Sequence, residues 1–422
     1  MEGARLGVGL IGCGPMGRRY VAGYAELLRS DFCNLDLVAV CDLDEARADD
    51  LAEEARQLTG ARPRVFQSIA TMAEAVEGLA GVVVATDIRA HHRVAIECID
   101  RGLDILMEQP LGLTLRACNL VARAARRADR TIVMAEHVRR DPMSRLVRAL
   151  IDDGAIGDPH MMIEASVRGA DRITLSSWRH DKLQGGLVLD LGVHSAHLMQ
   201  YFLGEAEAAC GVVRLLQAVR RKGEDGLAVS KWASEGPGII RATAEDALWS
   251  VVRFRAGAVA QWCLNGAGRG LPLRQRLIYG SVGSIVAPPD ASGRSPRLDR
   301  SGRGPLTDQA LLEYAPSYQL CSLGTHLFGT ERPTSYRLPP AEVDRKLLAL
   351  QLRELGLCAL GGERPEVSAD SGRRDVALVY AVCESSRLNR FVSVDDVEDV
   401  RADLYQRDID ADLGLIEVPG YD

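Results

Sequence analysis

The chain has 422 residues, 47% hydrophobic and 26% charged, a balance that suits a two-domain globular protein and excludes a disordered or fibrous one. Its 58 acidic residues outnumber 51 basic ones for a net charge of −7, and with no long basic stripe this argues against nucleic acid as a partner. No apolar run reaches membrane-spanning length and no signal peptide precedes the first strand, so no membrane partner and a cytoplasmic location are expected.

Residues 5–11 form an apolar run that predicts a buried strand. Gly12-Cys13-Gly14-Pro15-Met16-Gly17 follows, and a helical pattern runs over 18–28. A second buried strand spans 35–41 and ends at Asp42; a polar helix covers 45–57. Strands at 82–86, 104–107 and 131–135 then alternate with helices at 91–101 and 119–128. Such alternation predicts an α/β Rossmann domain, a doubly wound parallel sheet with helices on both faces.

Beyond Arg140 the rhythm changes. Strands are expected at 161–167, 248–254 and 258–264, the last two joined by a turn at Ala256-Gly257. Residues 277–279 pair with 284–286 across Gly280-Ser281-Val282-Gly283. Hairpins of this kind predict an α+β domain with an open, mostly antiparallel sheet. Residues 287–306, rich in Pro, Gly, Ser and Arg, read as an exposed excursion. Helices are expected over 340–360 and 371–388. The expected domains are therefore 1–138 and 139–422, with the final helix packing back on the first. Ten cysteines carry no C-x-x-C spacing and read as reduced residues, most of them in apolar runs.

The pattern Gly-x-Gly-x-x-Gly occurs twice, at Gly7/Gly9/Gly12 and Gly12/Gly14/Gly17. Only the second follows a strand and opens a helix, which is what lets helix N-terminal amides face a pyrophosphate. Gly12, Gly14, Pro15, Met16 and Gly17 are thus the expected dinucleotide loop. Asp42, ending the second strand, is placed to accept hydrogen bonds from ribose hydroxyls and to repel a 2′-phosphate. Leu43 follows where a 2′-phosphate reader would be Arg, so NAD is expected rather than NADP.

The second chemical signal is Gly185-Gly186-Leu187-Val188-Leu189-Asp190-Leu191-Gly192-Val193-His194. Helical spacing puts Asp190 and His194 on one face, a turn apart. A histidine beside a carboxylate is a proton carrier near neutral pH. The expectation is that His194 moves the proton and Asp190 orients it.

These landmarks resemble the Gfo/Idh/MocA (glucose–fructose oxidoreductase / inositol dehydrogenase) family over nearly the whole chain. Residues 6–17 resemble its glycine loop. Residues 82–110 resemble its second signature, with Thr86, His91 and Met107-Glu108-Gln109-Pro110. Residues 139–142 and Gly154-Ala155-Ile156-Gly157 resemble the exit into its second domain, 185–194 its catalytic helix, and 361–394 its closing helix and strand. The resemblance implies NAD(P)-dependent interconversion of alcohol and ketone on a sugar, cyclitol or related small molecule. It further implies Thr86, His91, Glu108 and Gln109 near the cofactor, and a homodimer or homotetramer built on the sheet's far face.

Departures from the family pattern qualify this. Gln109 stands where the family has lysine, so neither a charge nor a usable pKa is present there. Either His194 acts alone, another cation substitutes, or the reaction is redox-neutral on tightly held NAD, as in an epimerase, lyase or glycosidase; a non-catalytic nucleotide-binding scaffold or sensor is the remaining alternative. Arg179 and Lys182 lie in a stretch that resembles the substrate-covering loop, with Lys182 the candidate substitute cation. His197 extends Asp190 and His194 into an i, i+4, i+7 stripe and is expected to pack or to bond substrate. No metal is expected, since hydride chemistry needs none.

Overall fold

The computed structural model describes residues 5–174, 176–222 and 238–417. The first unit runs β1 (Leu6–Ile11), α1 (Pro15–Leu28), β2 (Leu35–Cys41), α2 (Glu45–Thr59), β3 (Arg64–Phe66), α3 (Ile69–Ala75), β4 (Leu79–Val84), α4 (His91–Asp100), β5 (Asp104–Glu108), α5 (Leu115–Ala128) and β6 (Ile132–Ala135). Its six strands are ordered β3-β2-β1-β4-β5-β6, and every pairing is parallel. The inner strands are buried on both faces, which is why they read as continuous apolar runs rather than alternating ones. Strand order reverses between β1 and β4, and in such sheets ligands bind at the carboxyl ends of the strands beside that reversal.

The chain then passes through α6 (His137–Arg140) and α7 (Pro142–Asp152) into β7 (Pro159–Gly169). Next come α8 (Gly186–Leu203), β8 (Ala206–Arg214), β9 (Val219–Arg221), β10 (Ile239–Arg241), β11 (Ala247–Phe254), β12 (Val259–Gly268), β13 (Leu273–Gly280), β14 (Gly283–Ala287) and β15 (Arg297–Arg300). The remaining elements are α9 (Ser322–Phe328), α10 (Pro340–Gly361), α11 (Ala369–Leu388), β16 (Val392–Ser393), α12 (Val394–Glu398) and α13 (Arg407–Asp412). The second sheet has eight strands in the order β15-β14-β13-β7-β12-β11-β8-β16. All its pairings are antiparallel except β7 with β12. Helices α8 and α11 cover one face, and Gly192 of α8 lets Val379 and Trp262 approach so closely that a Cβ there would sit 3.2 Å and 3.5 Å from them. The other face carries Val212, Trp249, Val251 and Val259.

The stretch 287–306 corrects the expectation of an exposed excursion. It contains the edge strand β15, whose Leu298 is fully buried, and its Asp290 receives the buried Arg276 guanidinium at 2.7 Å. Polar and turn residues there mark the bends around a strand rather than a free loop. The pair β9–β10 and the helix α7 carried no expectation. Helix α10 returns to the first unit and lies along α1, where Gly23 faces Leu348 and Arg19 pairs with Asp344 at 2.9 Å. All ten cysteines are free. No helix among the described residues is long and apolar enough to cross a membrane.

Candidate active site

The carboxyl ends of five strands of the parallel sheet (β1, β2, β4, β5 and β6) and one helix of the second unit line one cleft. At the end of β1, Gly12 has φ +96°, and a Cβ there would lie 2.6 Å from the Ala85 carbonyl oxygen. Gly17 packs as tightly on Gly12. Gly14, by contrast, caps α1 with nothing within 4 Å of a Cβ position. That cap is made by no side chain, Pro15 follows inside the first turn, and the turn holds no acid. The first amides of α1 are therefore open to an anion. Met16 is half-buried. Asp42 is held rigidly at the end of β2: Oδ2 accepts the Cys13 N–H at 2.7 Å and Oδ1 the Asp44 N–H at 3.0 Å. A dinucleotide fits this cradle.

Thr86 and His91 flank the end of β4. His91 is buried; its Nδ1 lies 2.8 Å from the Pro110 carbonyl oxygen and its Nε2 3.3 Å from that of Thr86. It therefore ties the β4 turn to the β5 turn. Burial holds this ring below its ordinary pKa, so it is neutral at pH 7. In the β5 turn, Glu108 accepts the Tyr20 hydroxyl at 2.5 Å. Gln109 precedes a cis proline bond and is buried, and neither its Oε1 nor its Nε2 has a hydrogen-bond partner. A buried amide left this way costs about 1–3 kcal/mol.

The β6 turn holds the residue that sequence reading missed. Glu136 is fully buried, and His194 Nδ1 lies 3.0 Å and 2.9 Å from its two carboxylate oxygens. Burial, the largest single influence, would discharge the ring, but Glu136, Asp190 and Glu108 together outweigh it and lift His194 to about 9. Burial likewise opposes the Glu136 carboxylate, and the His194 charge holds it down at about 2. The directions agree: both members are charged at neutral pH. His137, with its ring centroid 5.5 Å from that of His194, is pushed down to about 4 by burial and by the charged neighbour, and stays neutral. His194 remains 30% exposed, and Nε2 makes no hydrogen bond among the described residues.

Two expectations are corrected, and of the two places expected for His197 the packed one holds. Asp190 does not orient His194 by hydrogen bonding; it receives Arg179 Nε at 2.6 Å, because the Arg179 segment folds over the start of α8. Arg179 also stacks on Trp178, so it stands at the site through Asp190. Lys182 is not a substitute for the missing lysine: its Nζ is 2.6 Å from Asp408 and 4.4 Å from the Tyr405 ring, bound to the C-terminal segment. His197 does not face substrate. It is buried and gives Nδ1 to Asp375 at 2.8 Å.

Glu136, His137 and His194 bring one ligand atom each within 4.8 Å of one another. Two of the three are already joined as an ion pair, so the arrangement is a charged histidine on a buried carboxylate. A signal for Glu136 did exist in the sequence: a Glu-His step directly after an apolar parallel strand, where α/β sheets bind ligands.

Residues 6–137 match the family described as "Oxidoreductase family, NAD-binding Rossmann fold", and residues 144–286 match the GFO/IDH/MocA C-terminal domain. The chain is 28% identical over 289 residues to inositol 2-dehydrogenase 2 of Saccharopolyspora erythraea, covering 68% of this chain and 74% of that protein. Its fold is similar to an NAD-binding oxidoreductase from Klebsiella pneumoniae (TM-score 0.74, 21% identity, 93% of this chain and 99% of that one). It is also similar to a levoglucosan dehydrogenase solved with NADH and L-sorbose (TM-score 0.72, 21% identity, 92% and 99%). The chain belongs to the GFO/IDH/MocA family of NAD-binding oxidoreductases.

Proposed function

We propose that this enzyme interconverts a secondary alcohol and a ketone on a sugar, cyclitol or related polyol, with His194 as the proton carrier. The observation that carries this reading is the ion pair of His194 with the fully buried Glu136. NAD held on Gly12, Gly14, Pro15, Met16 and Gly17 supplies the hydride acceptor and donor. The protein supplies the rest. In the reducing direction His194, charged below about 9, gives its Nε2 proton to the carbonyl oxygen as the carbon gains hydride. In the oxidising direction the same nitrogen must be neutral to take the hydroxyl proton. Oxidation therefore rises as pH climbs through about 9 and reduction falls.

The charge that Gln109 lacks stands on His194. A cation beside the reacting oxygen stabilises its alkoxide character, an effect typically worth on the order of a hundredfold in rate. The Gln109 amide, free of protein partners, is suited to bond the substrate hydroxyl or the nicotinamide carboxamide. Asp42 supports NAD over NADP. The exposed apolar residues Val212, Trp249 and Val251 on the second sheet support a homo-oligomer, and the net negative charge with a polyol site supports a small-molecule metabolic role in the cytoplasm.

The test is to denature the purified protein, look for released NAD, and follow absorbance at 340 nm with cyclitols and sugars from pH 6 to 10. NADH formation that rises with pH toward about 9 is the expected result. Retained nucleotide, altered substrate and no net NADH would replace this reading with a redox-neutral one. Turnover unaffected by His194→Ala would remove His194 from the chemistry.

A further inference from the structure

The Glu136 carboxylate must be held against His194 by something, and its own turn is short. Helix α6 spans only His137–Arg140 and no side chain caps it. The holding groups come from α10, more than 200 residues further along the chain. Glu354 of α10 accepts Arg140 Nε at 3.0 Å, and Arg140 Nη1 donates to the Glu136 carbonyl oxygen at 2.7 Å. One turn before Glu354, Gln351 is fully buried. In the orientation that satisfies its surroundings, its amide oxygen accepts the backbone N–H of His137 at 2.9 Å and of Glu136 at 3.3 Å. Its nitrogen then faces the Tyr20 hydroxyl at 3.5 Å. That hydroxyl donates to Glu108 at 2.5 Å, next to Gln109.

One buried amide thus joins the two turns that carry the site. On its acceptor side lies Glu136, which charges His194. On its donor side, through Tyr20, lies the Glu108-Gln109 turn. Neither turn belongs to α10, and α10 is not part of the parallel sheet. A buried side-chain network of this kind rigidifies what it joins only when every member is satisfied.

We propose that Gln351 is a positioning residue, which holds the Glu136 turn and the Glu108-Gln109 turn in register so that Glu136 stays on His194. The inference rests on His194 being the proton carrier. The ionisable groups facing that ring are Glu136 and His137 from the β6 turn, Glu108 from the β5 turn, and Asp190 on α8 with its Arg179 partner. Gln351 itself does not titrate, so any change of pH profile on its replacement must come through these groups.

The experiment compares Gln351→Met, Gln351→Glu, Tyr20→Phe and His194→Ala by kcat and KM across pH 6–10, with Tm for each. Methionine fills the space but leaves the His137 N–H without an acceptor, while the Glu136 N–H keeps only the Met134 carbonyl oxygen at 2.9 Å and the Tyr20 hydroxyl only Glu108. It is expected to lower kcat roughly 10- to 100-fold, since small misplacements of a catalytic group cost this much. KM should stay within about twofold, and the alkaline limb should move down toward the ordinary imidazole range. A glutamic acid in this buried place takes up a proton and then accepts and donates as glutamine does. Gln351→Glu is therefore expected to recover most of kcat and the original limb. Tyr20→Phe removes only the link to Glu108; it carries the test where the methionine variant does not fold, with a kcat loss of a few-fold and a smaller shift of the same sign.

A folded Gln351→Met with unchanged limb and kcat would overturn the proposal. So would a glutamate variant as impaired as the methionine one, or a Tyr20→Phe profile identical to the parent. If His194→Ala retains turnover, the reading of His194 fails instead, and the two failures are told apart.

Discussion

His194 and His197 stand on the same helix and each gives Nδ1 to a carboxylate, at 2.9 Å to Glu136 and at 2.8 Å to Asp375. Their exposures differ: 30% for His194 over a fully buried Glu136, against 4% and 2% for His197 and Asp375. One ring keeps a nitrogen open toward the cleft; the other is sealed between α8 and α11, where Gln200 also bonds Asp375 at 2.9 Å. A histidine–carboxylate pair is therefore not in itself a catalytic signal. Access of the second nitrogen makes it one, because a proton carrier must exchange its proton with something outside the pair.

The strongest way to break this comparison is to remove each ring. His194→Ala is expected to lower kcat by about 10²–10⁴, the usual contribution of a positioned acid–base group, and to lower Tm as well, because the fully buried Glu136 loses its charged partner. His197→Ala should leave kcat within about threefold and instead lower the unfolding free energy by about 1–3 kcal/mol, because Asp375 loses a buried partner. Steady-state kinetics with thermal melts of both variants decides the matter. Equal kinetic losses would show that the sealed pair also reaches the chemistry.

Glu136→Gln sharpens the same contrast through pH. Burial lowers the His194 pKa, and Glu136 with smaller help from Asp190 and Glu108 raises it to about 9. A neutral amide removes the larger favourable partner, so the ring loses its proton at lower pH. Reduction at pH 7–8 should fall roughly 10- to 100-fold, since the acid form is depleted and its charge is gone. The alkaline rise in oxidation should move toward the ordinary imidazole value of about 6.5. An unmoved profile would mean that Glu136 does not set the charge on His194. The corresponding Asp375→Asn, at the sealed pair, should leave both limbs in place.

Much of this molecule was legible in its residues, and the boundary of legibility has a physical cause. Each parallel strand is a short apolar run between turns, so the strand–helix alternation was visible locally. The glycine loop was visible too, because turn, phosphate approach and helix packing all act within Gly12–Gly17. Helix α8 was visible as the segment around His194. Its partner was not, since Glu136 is 58 positions away, and Asp375 lies 178 positions from His197. Helical spacing led to Asp190 because periodicity reports only neighbours on one element. The final assignment depends on which groups the two units press together, and that is set by packing of α8 against α6, just after β6. Lys182 failed for the same reason: its partners Asp408 and Tyr405 come from the far end of the chain.

A smaller effect is expected at Gln109. Gln109→Lys would place a second cation near a ring already charged. Like charges disfavour one another, so the His194 limb should move down, opposite in direction to the lift given by Glu136. Because Glu108 is adjacent and able to pair with the new ammonium, turnover should be retained within about tenfold. A pH profile of the variant in both directions checks this. A large loss of kcat with an unchanged limb would instead show that the neutral amide itself bonds the reacting group.

The smallest effect belongs to Asp190. It contributes to the charge on His194 but less than Glu136 does, and its hydrogen bond goes to Arg179, at 2.6 Å. Asp190→Asn should therefore change kcat by less than about threefold, in keeping with the modest worth of a partly exposed pair, and should shift the alkaline limb down by less than Glu136→Gln does. An asparagine oxygen still accepts from Arg179, so the segment over the start of α8 should keep its place and KM should rise only a few-fold. Alanine at the same position removes the acceptor as well; KM should then climb further while kcat stays close to that of the asparagine variant. A collapse of kcat in Asp190→Asn comparable to that of His194→Ala would reverse the ranking of the two carboxylates. It would mean that the acid on the helix, rather than the buried acid after β6, governs the proton.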